Sequence, residues 1–114
     1  MKPNVSVIIT SFNRKAFLES AVSSVLEQSF KDFELIILDN GSTDGTGDFL
    51  SKLVDRRIRV HIHEPISISK QRNLGLNLAA AEYIAFLDDD DLWHRDKLKM
   101  QYCKISKNFA VALV

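Results

Sequence analysis

The sequence predicts an α/β domain built on a doubly wound, mainly parallel sheet. Three observations carry that expectation. Apolar runs of strand length recur along the 114 residues, and amphipathic helical spacing fills the gaps between them. Three of the runs are almost continuously apolar rather than alternating, as strands covered on both faces are. Strand and helix in regular alternation give right-handed βαβ units.

The elements follow in order. Val5–Thr10, rich in Val and Ile, is the first strand. Leu18, Ala21, Val22, Val25 and Leu26 then fall at i, i+3, i+4, i+7 and i+8, one face of a helix. Phe33–Leu38 is the second strand. The Ser/Thr/Asp/Gly cluster from Gly41 to Asp48 opens a shorter helix carrying Phe49, Leu50 and Leu53. Ile58–Ile62 alternates its apolar residues with Arg59 and His61, which places it at the edge of the sheet. Ser69–Ala80 reads as a third helix, Tyr83–Leu87 as a fourth strand and Arg95–Ser106 as a fourth helix, with Phe17 and Trp93 in the core. Phe109–Val114 is a last apolar strand without a following turn. The sheet is therefore expected to be incomplete at the C-terminus, the chain to be the front part of a longer protein, and the open edge to favour self-association.

Residues 1–114 make a single domain by length. With 15 basic and 15 acidic side chains the net charge is zero, which argues against a nucleic-acid binder driven by a basic surface. Cys103 is the sole cysteine and cannot form an internal disulfide. The N-terminus is too β-branched for a signal peptide, and no apolar run approaches the ~18 residues of a membrane span. A cytosolic chain is expected, with peripheral membrane attachment left open for the full-length protein.

In open α/β sheets ligands bind beyond the carboxyl ends of the strands. Those ends read Thr10–Asn13, Asp39–Ser42, His63–Ser69 and Asp88–Asp91. The run Asp88-Asp89-Asp90-Asp91 offers the hard oxygens that Mg²⁺ or Mn²⁺ prefers, shared with water and phosphate. A solvated acidic turn at a helix start is the competing explanation; the apolar strand before the acids and the helix after them favour a site. In DNGSTDGTG, Asp39 or Asn40 could meet a base or ribose, whereas turn chemistry accounts for Gly41, Ser42, Asp44 and Gly45. The loop fits neither a P-loop nor G-x-G-x-x-G. Arg72 is a candidate phosphate or nucleotide contact and Lys70 a solvated helix residue. His61 and His63 share a strand face but read as incidental, and His94 as a surface residue.

The stretches VSVIITSFN, FELIILDNGSTDGT, RNLGL and EYIAFLDDDDLWHRDKL resemble, in order and spacing, the nucleotide-binding part of family 2 glycosyltransferases, close to those of spore-coat polysaccharide synthesis. The resemblance implies a GT-A, Rossmann-like fold and inverting transfer of a sugar from a nucleotide-diphosphate donor to a hydroxyl of a glycan or other acceptor. It implies Mg²⁺ or Mn²⁺ as cofactor, with Asp90 and Asp88 toward the metal and Asp88 or Asp89 toward ribose and phosphate. Thr10, Phe12, Asp39, Asn40 and Arg72 fall at nucleotide-binding positions, Asn40 standing where the family often has Asp. The resemblance puts the catalytic base beyond Val114, so no catalytic residue is expected in this chain. A non-catalytic nucleotide-binding or interaction domain is the alternative. A haloacid-dehalogenase-like phosphatase and a phosphoacceptor receiver domain both require acids after the first strand, where this chain has Thr10-Ser11-Phe12.

Overall fold

The computed structural model describes residues 2–107. Strands β1 (Val5–Ser11), β2 (Phe33–Asp39), β3 (Ile58–Ile62) and β4 (Tyr83–Asp88) alternate with helices α1 (Lys15–Leu26), α2 (Thr46–Ser51), α3 (Ile68–Leu78) and α4 (Lys97–Lys107). The described strands form one sheet in the order β3-β2-β1-β4, every pair parallel. The expected strand at Phe109–Val114, and the self-association argued from it, lie outside the described residues.

The two central strands are the ones with unbroken apolar runs. Along β2 every residue is buried, and along β1 all but Thr10 are. Val5, Val7 and Ile9 face α1, whose buried stripe is Leu18, Ala21, Val22 and Val25, and the same cluster takes Leu50 of α2 and Leu98 of α4. Ile8, Ile36 and Leu38 face the other way, onto Leu74 and Leu78 of α3. Helices therefore cover both faces, and each fully buried Leu or Ile contributes about 1.5–3 kcal/mol. The alternating β3 sits at the edge as its pattern requires.

Helix ends depart from the sequence pattern where buried polar groups intervene. α3 stops at Leu78, two residues before the expected end, and Ala79 turns extended. Glu34, buried in β2, accepts Ser6 Oγ–H at 2.5 Å and the Ala80 N–H at 2.6 Å, while Ser6 Oγ accepts the Ala81 N–H. Those bonds draw the chain out of the helix. Arg59 completes the group, 3.0 Å from Glu34 and donating to the Leu78 carbonyl. α4 starts at Lys97 rather than Arg95 because buried Gln28 holds its entry, donating to the His94 carbonyl and accepting the Leu98 N–H. Trp93 is core as expected; Phe17 is not, at 60% exposure. It lies in the first turn of α1, outside the inward stripe at 18, 21, 22 and 25.

Close packing between α3 and the sheet rests on Gly75. A Cβ there would stand 2.9 Å from Ile8 Cγ2 and 3.1 Å from Leu38 Cδ1. Gly75→Ala should lower the unfolding free energy by about 1–3 kcal/mol through overpacking, although Ala is the better helix former by ~1 kcal/mol; a urea titration reads the sign. At the entry to β3, Arg57 grips Asp55 with two side-chain hydrogen bonds and lies over the Phe33 ring. Those bonds hold the Asp55 carboxyl down at about 2, against an ordinary 3.8. A depressed acid stabilises the fold above its ordinary value and loses that contribution as pH falls through the window from 3.8 to about 2. Asp55→Asn should flatten this acid limb, by less than about 1 kcal/mol because the pair is partly solvated, in urea titrations stepped from pH 5 to pH 2.

Candidate functional site

The path of the chain makes the crevice. β1, β2 and β3 are laid down side by side, then α3 carries the chain across the opposite face of the sheet to β4 on the far side of β1. Winding reverses between β1 and β4, and beyond the carboxyl ends of two strands that diverge in this way a cleft opens. An open crevice of about 410 Å³ lies there. Thr10, Phe12 and Arg14 come from the end of β1, Asn40 from the end of β2, Ile68 and Gln71 from α3, and Asp88, Asp89 and Asp90 from the end of β4.

The acid row is partly neutralised from within. Asp89 is the most enclosed of its three crevice acids, its side chain 13% exposed, and it accepts the Phe12 N–H at 3.3 Å. Burial raises its carboxyl above the ordinary value; the Phe12 N–H and the Arg14 guanidinium act in the opposite direction, while Asp90 and Asp88 add to the rise. Arg14 Nη1 is 2.6 Å from Asp90 Oδ2 and 3.9 Å from Asp89 Oδ1. Arg72 Nη2 is 3.9 Å from Asp88 Oδ1, its guanidinium over the Phe86 ring.

The loop after β2 is built from its own side chains. Asp39, 1% exposed, accepts Ser42 Oγ–H and the Ser42 N–H, so its carboxylate lies beneath the crevice floor rather than on it. Asn40 donates to the Ile66 carbonyl and accepts the Ile66 N–H, fastening the 63–68 segment in the manner of a strand pair. Gly41 and Gly45 take the left-handed φ values of +78° and +93° that the turn demands. Asp44 accepts the Thr46 Oγ–H and the Lys15 N–H, and Asn13 exchanges hydrogen bonds with Ser42 and Thr43. The turn chemistry read for Gly41, Ser42, Asp44 and Gly45 is what these bonds perform.

Of the expected site residues, Thr10, Phe12, Asn40, Asp88, Asp89 and Asp90 converge on one crevice, Arg72 reaches it through Asp88, and Asp39 supports it from below. Arg14 and Gln71 were not foreseen. Gln71 is buried and donates to the Leu38 carbonyl, a long-range bond with no local sequence signal. Arg14 carried a signal, a cation beside Lys15 just past the end of β1. Lys70 and His61 are exposed, and His94 Nδ1 accepts the Asp96 N–H at the approach to α4. No three His, Cys, Asp or Glu residues gather into a self-contained metal centre among the described residues. The acid row nevertheless presents hard oxygens on an open cleft, which suits an ion that takes one or two carboxylates and completes its shell from phosphate and water.

A parallel sheet whose winding reverses in this way belongs to the doubly wound α/β class, in which ligands bind at the point of reversal. Residues 6–114 match the glycosyl transferase family 2, and the chain belongs to that family. It is 46% identical over 103 residues to a Bacillus subtilis (strain 168) glycosyltransferase named for teichuronic acid biosynthesis, TuaG, covering 88% of this chain and 41% of that one. It is 36% identical over 105 residues to the Escherichia coli UDP-Glc:alpha-D-GlcNAc-diphosphoundecaprenol beta-1,3-glucosyltransferase WfgD, covering 91% of this chain and 42% of the relative. Its structure superposes on S. aureus TarS 1-349 in complex with UDP-GlcNAc with a TM-score of 0.86 at 28% identity, over 93% of this chain and 32% of that one. The mannosyltransferase PcManGT of Pyrobaculum calidifontis, in complex with GDP-Man and Mn2+, superposes with a TM-score of 0.75 at 25% identity, over 86% of this chain and 31% of that one. The GT-A-like fold is thus established. The chain spans about two-fifths of the length of these two curated relatives. These relatives are named for teichuronic acid and lipid-linked glycan work rather than for spore coats. No described helix is long and apolar enough to cross a membrane.

Asn40 offers a test of the loop. Asn40→Asp keeps the acceptor for the Ile66 N–H but sets a carboxylate oxygen against the Ile66 carbonyl. The variant should lose about 1–3 kcal/mol in chemical denaturation, with faster amide exchange confined to the 63–68 segment.

Proposed function

We propose that this chain forms the donor-binding part of an inverting, metal-dependent glycosyltransferase that takes a nucleotide-diphosphate sugar and passes the sugar to a hydroxyl of a growing polysaccharide or glycoconjugate. The observation that carries the reading is the convergence of Thr10, Phe12, Asn40 and the Asp88–Asp90 row on one crevice at the point where the winding reverses. Phe12, half-exposed on that crevice, supplies an aromatic face for a base. Asn40, whose amide is engaged by Ile66, acts on the base by fixing the adjacent loop.

Asp90 and Asp88, the two exposed acids that line the crevice, would hold Mg²⁺ or Mn²⁺, with Asp89 turned inward toward Phe12 and the ribose side. Such an ion neutralises charge that develops on the departing diphosphate. A UDP-sugar donor is supported by the relatives named for UDP-Glc and by the solved complex with UDP-GlcNAc.

Calorimetric titration of UDP, GDP and dTDP, with and without Mn²⁺, tests the proposal. One nucleotide should bind in a Mn²⁺-dependent way, and Asp90→Asn should weaken it at least about tenfold, the size of one lost charged contact. A folded sample that binds none of the three in Mn²⁺ would remove the donor-site reading.

A further inference from the structure

We infer that Arg14 is a counter-ion that changes partners: it holds Asp90 and Asp89 while no donor is present, and moves to the donor's diphosphate when a metal takes the carboxylates. The inference rests on the donor-site reading above.

Three observations lead to it. Arg14 lines the crevice itself and lies 2.6 Å from the acid assigned to the metal. A divalent ion and a guanidinium repel, and at hydrogen-bond distance from one carboxylate they would stand only a few ångströms apart; one of them has to leave. The pair is also easy to open, since both side chains are 49% exposed and solvent weakens their attraction.

The backbone beneath Arg14 cannot follow the side chain. The Phe12 N–H is held by Asp89, Asn13 is bonded in both directions to the Ser42–Thr43 turn, and the Lys15 N–H is held by Asp44. Motion is thereby confined to a long, flexible side chain anchored at the crevice wall. A diphosphate carried in by the metal brings oxygens to the place the carboxylates vacate. A guanidinium binds two phosphate oxygens side by side, which an ammonium cannot do. Arg72 is less suited to the exchange, because it is farther from its acid and its guanidinium lies over Phe86.

The exchange predicts opposite effects on two ligands. Free Mn²⁺, followed by electron paramagnetic resonance, should bind Arg14→Gln about threefold or more tighter than wild type, since a competing cation is gone. UDP, or whichever of UDP, GDP and dTDP the wild type binds, should bind Arg14→Gln in saturating Mn²⁺ about tenfold weaker, with a smaller loss for the matching monophosphate. Arg14→Lys keeps the charge without the fork: its Mn²⁺ affinity should stay near wild type while the diphosphate is weakened about threefold. Melting curves for each variant exclude loss of fold, and the lysine variant carries the test if the glutamine variant unfolds. Mn²⁺ and diphosphate affinities that fall together, or a diphosphate affinity unchanged in both variants, would overturn the inference while leaving the donor site intact. Absence of nucleotide binding by the wild type would instead remove the donor site, and this role of Arg14 with it.

Discussion

Four consecutive carboxylates at the end of a half-buried strand are the constraint around which this end of the molecule is organised. Unit charges ~4 Å apart repel by about 4 kcal/mol near a protein surface, so the row persists only where positive groups are brought to it. They come from two parts of the chain, the turn after β1 and helix α3. Arg14 follows β1, Arg72 projects from α3, and the Phe12 N–H sits at the turn out of β1. Parallel pairing of β4 with β1, in register from Val5–Tyr83 to Thr10–Asp88, is what delivers the acids to these partners. The topology and the electrostatics are therefore one requirement seen from two sides.

The opposite end of the sheet solves a similar problem by pairing the acid from several sides. Glu34 is a buried carboxylate surrounded by Ser6, the Ala80 N–H and Arg59. Its oxygens are engaged by donors from three separate segments. Breaking such a group by removing one partner is costly because an uncompensated charge stays buried. It fixes where α3 ends and hence where β4 begins, and so sets the position of the acids at the other end of that strand.

The sequence made some of this legible and not the rest, and the division has a physical cause. Period-2 and period-3.6 patterns report which side of an element is buried, so the unbroken β1 and β2, the alternating edge strand β3 and the α1 stripe could all be read directly. Residues after strand ends could be grouped as a site because parallel topology puts those ends together. Side-chain bonds between distant segments leave no periodic trace. Gln28 reaching α4, Gln71 reaching Leu38, and Glu34 stopping α3 were invisible for that reason. Phe17 differs: its apolar character points to the core, but at the first turn of α1 it lies off the buried stripe and is exposed. Arg14 and Asp90 are 76 positions apart in the chain, so their pairing too leaves no local trace.

The same contrast bears on how a crevice can be both stable and usable. An acid row with no internal cations would raise the energy of the donor-free fold, and one locked by buried ion pairs could not release them to a ligand. Half-exposed arginine pairs lie between those limits, because solvent keeps their attraction small while their charge still offsets the repulsion. Rigidity is placed instead in the backbone around them, through the Asn13–Ser42, Lys15–Asp44 and Asn40–Ile66 bonds that join the ends of β1, β2 and β3. A cleft made this way holds its walls fixed and its charges mobile, which is what a site needs if metal and diphosphate are to enter together and leave after transfer.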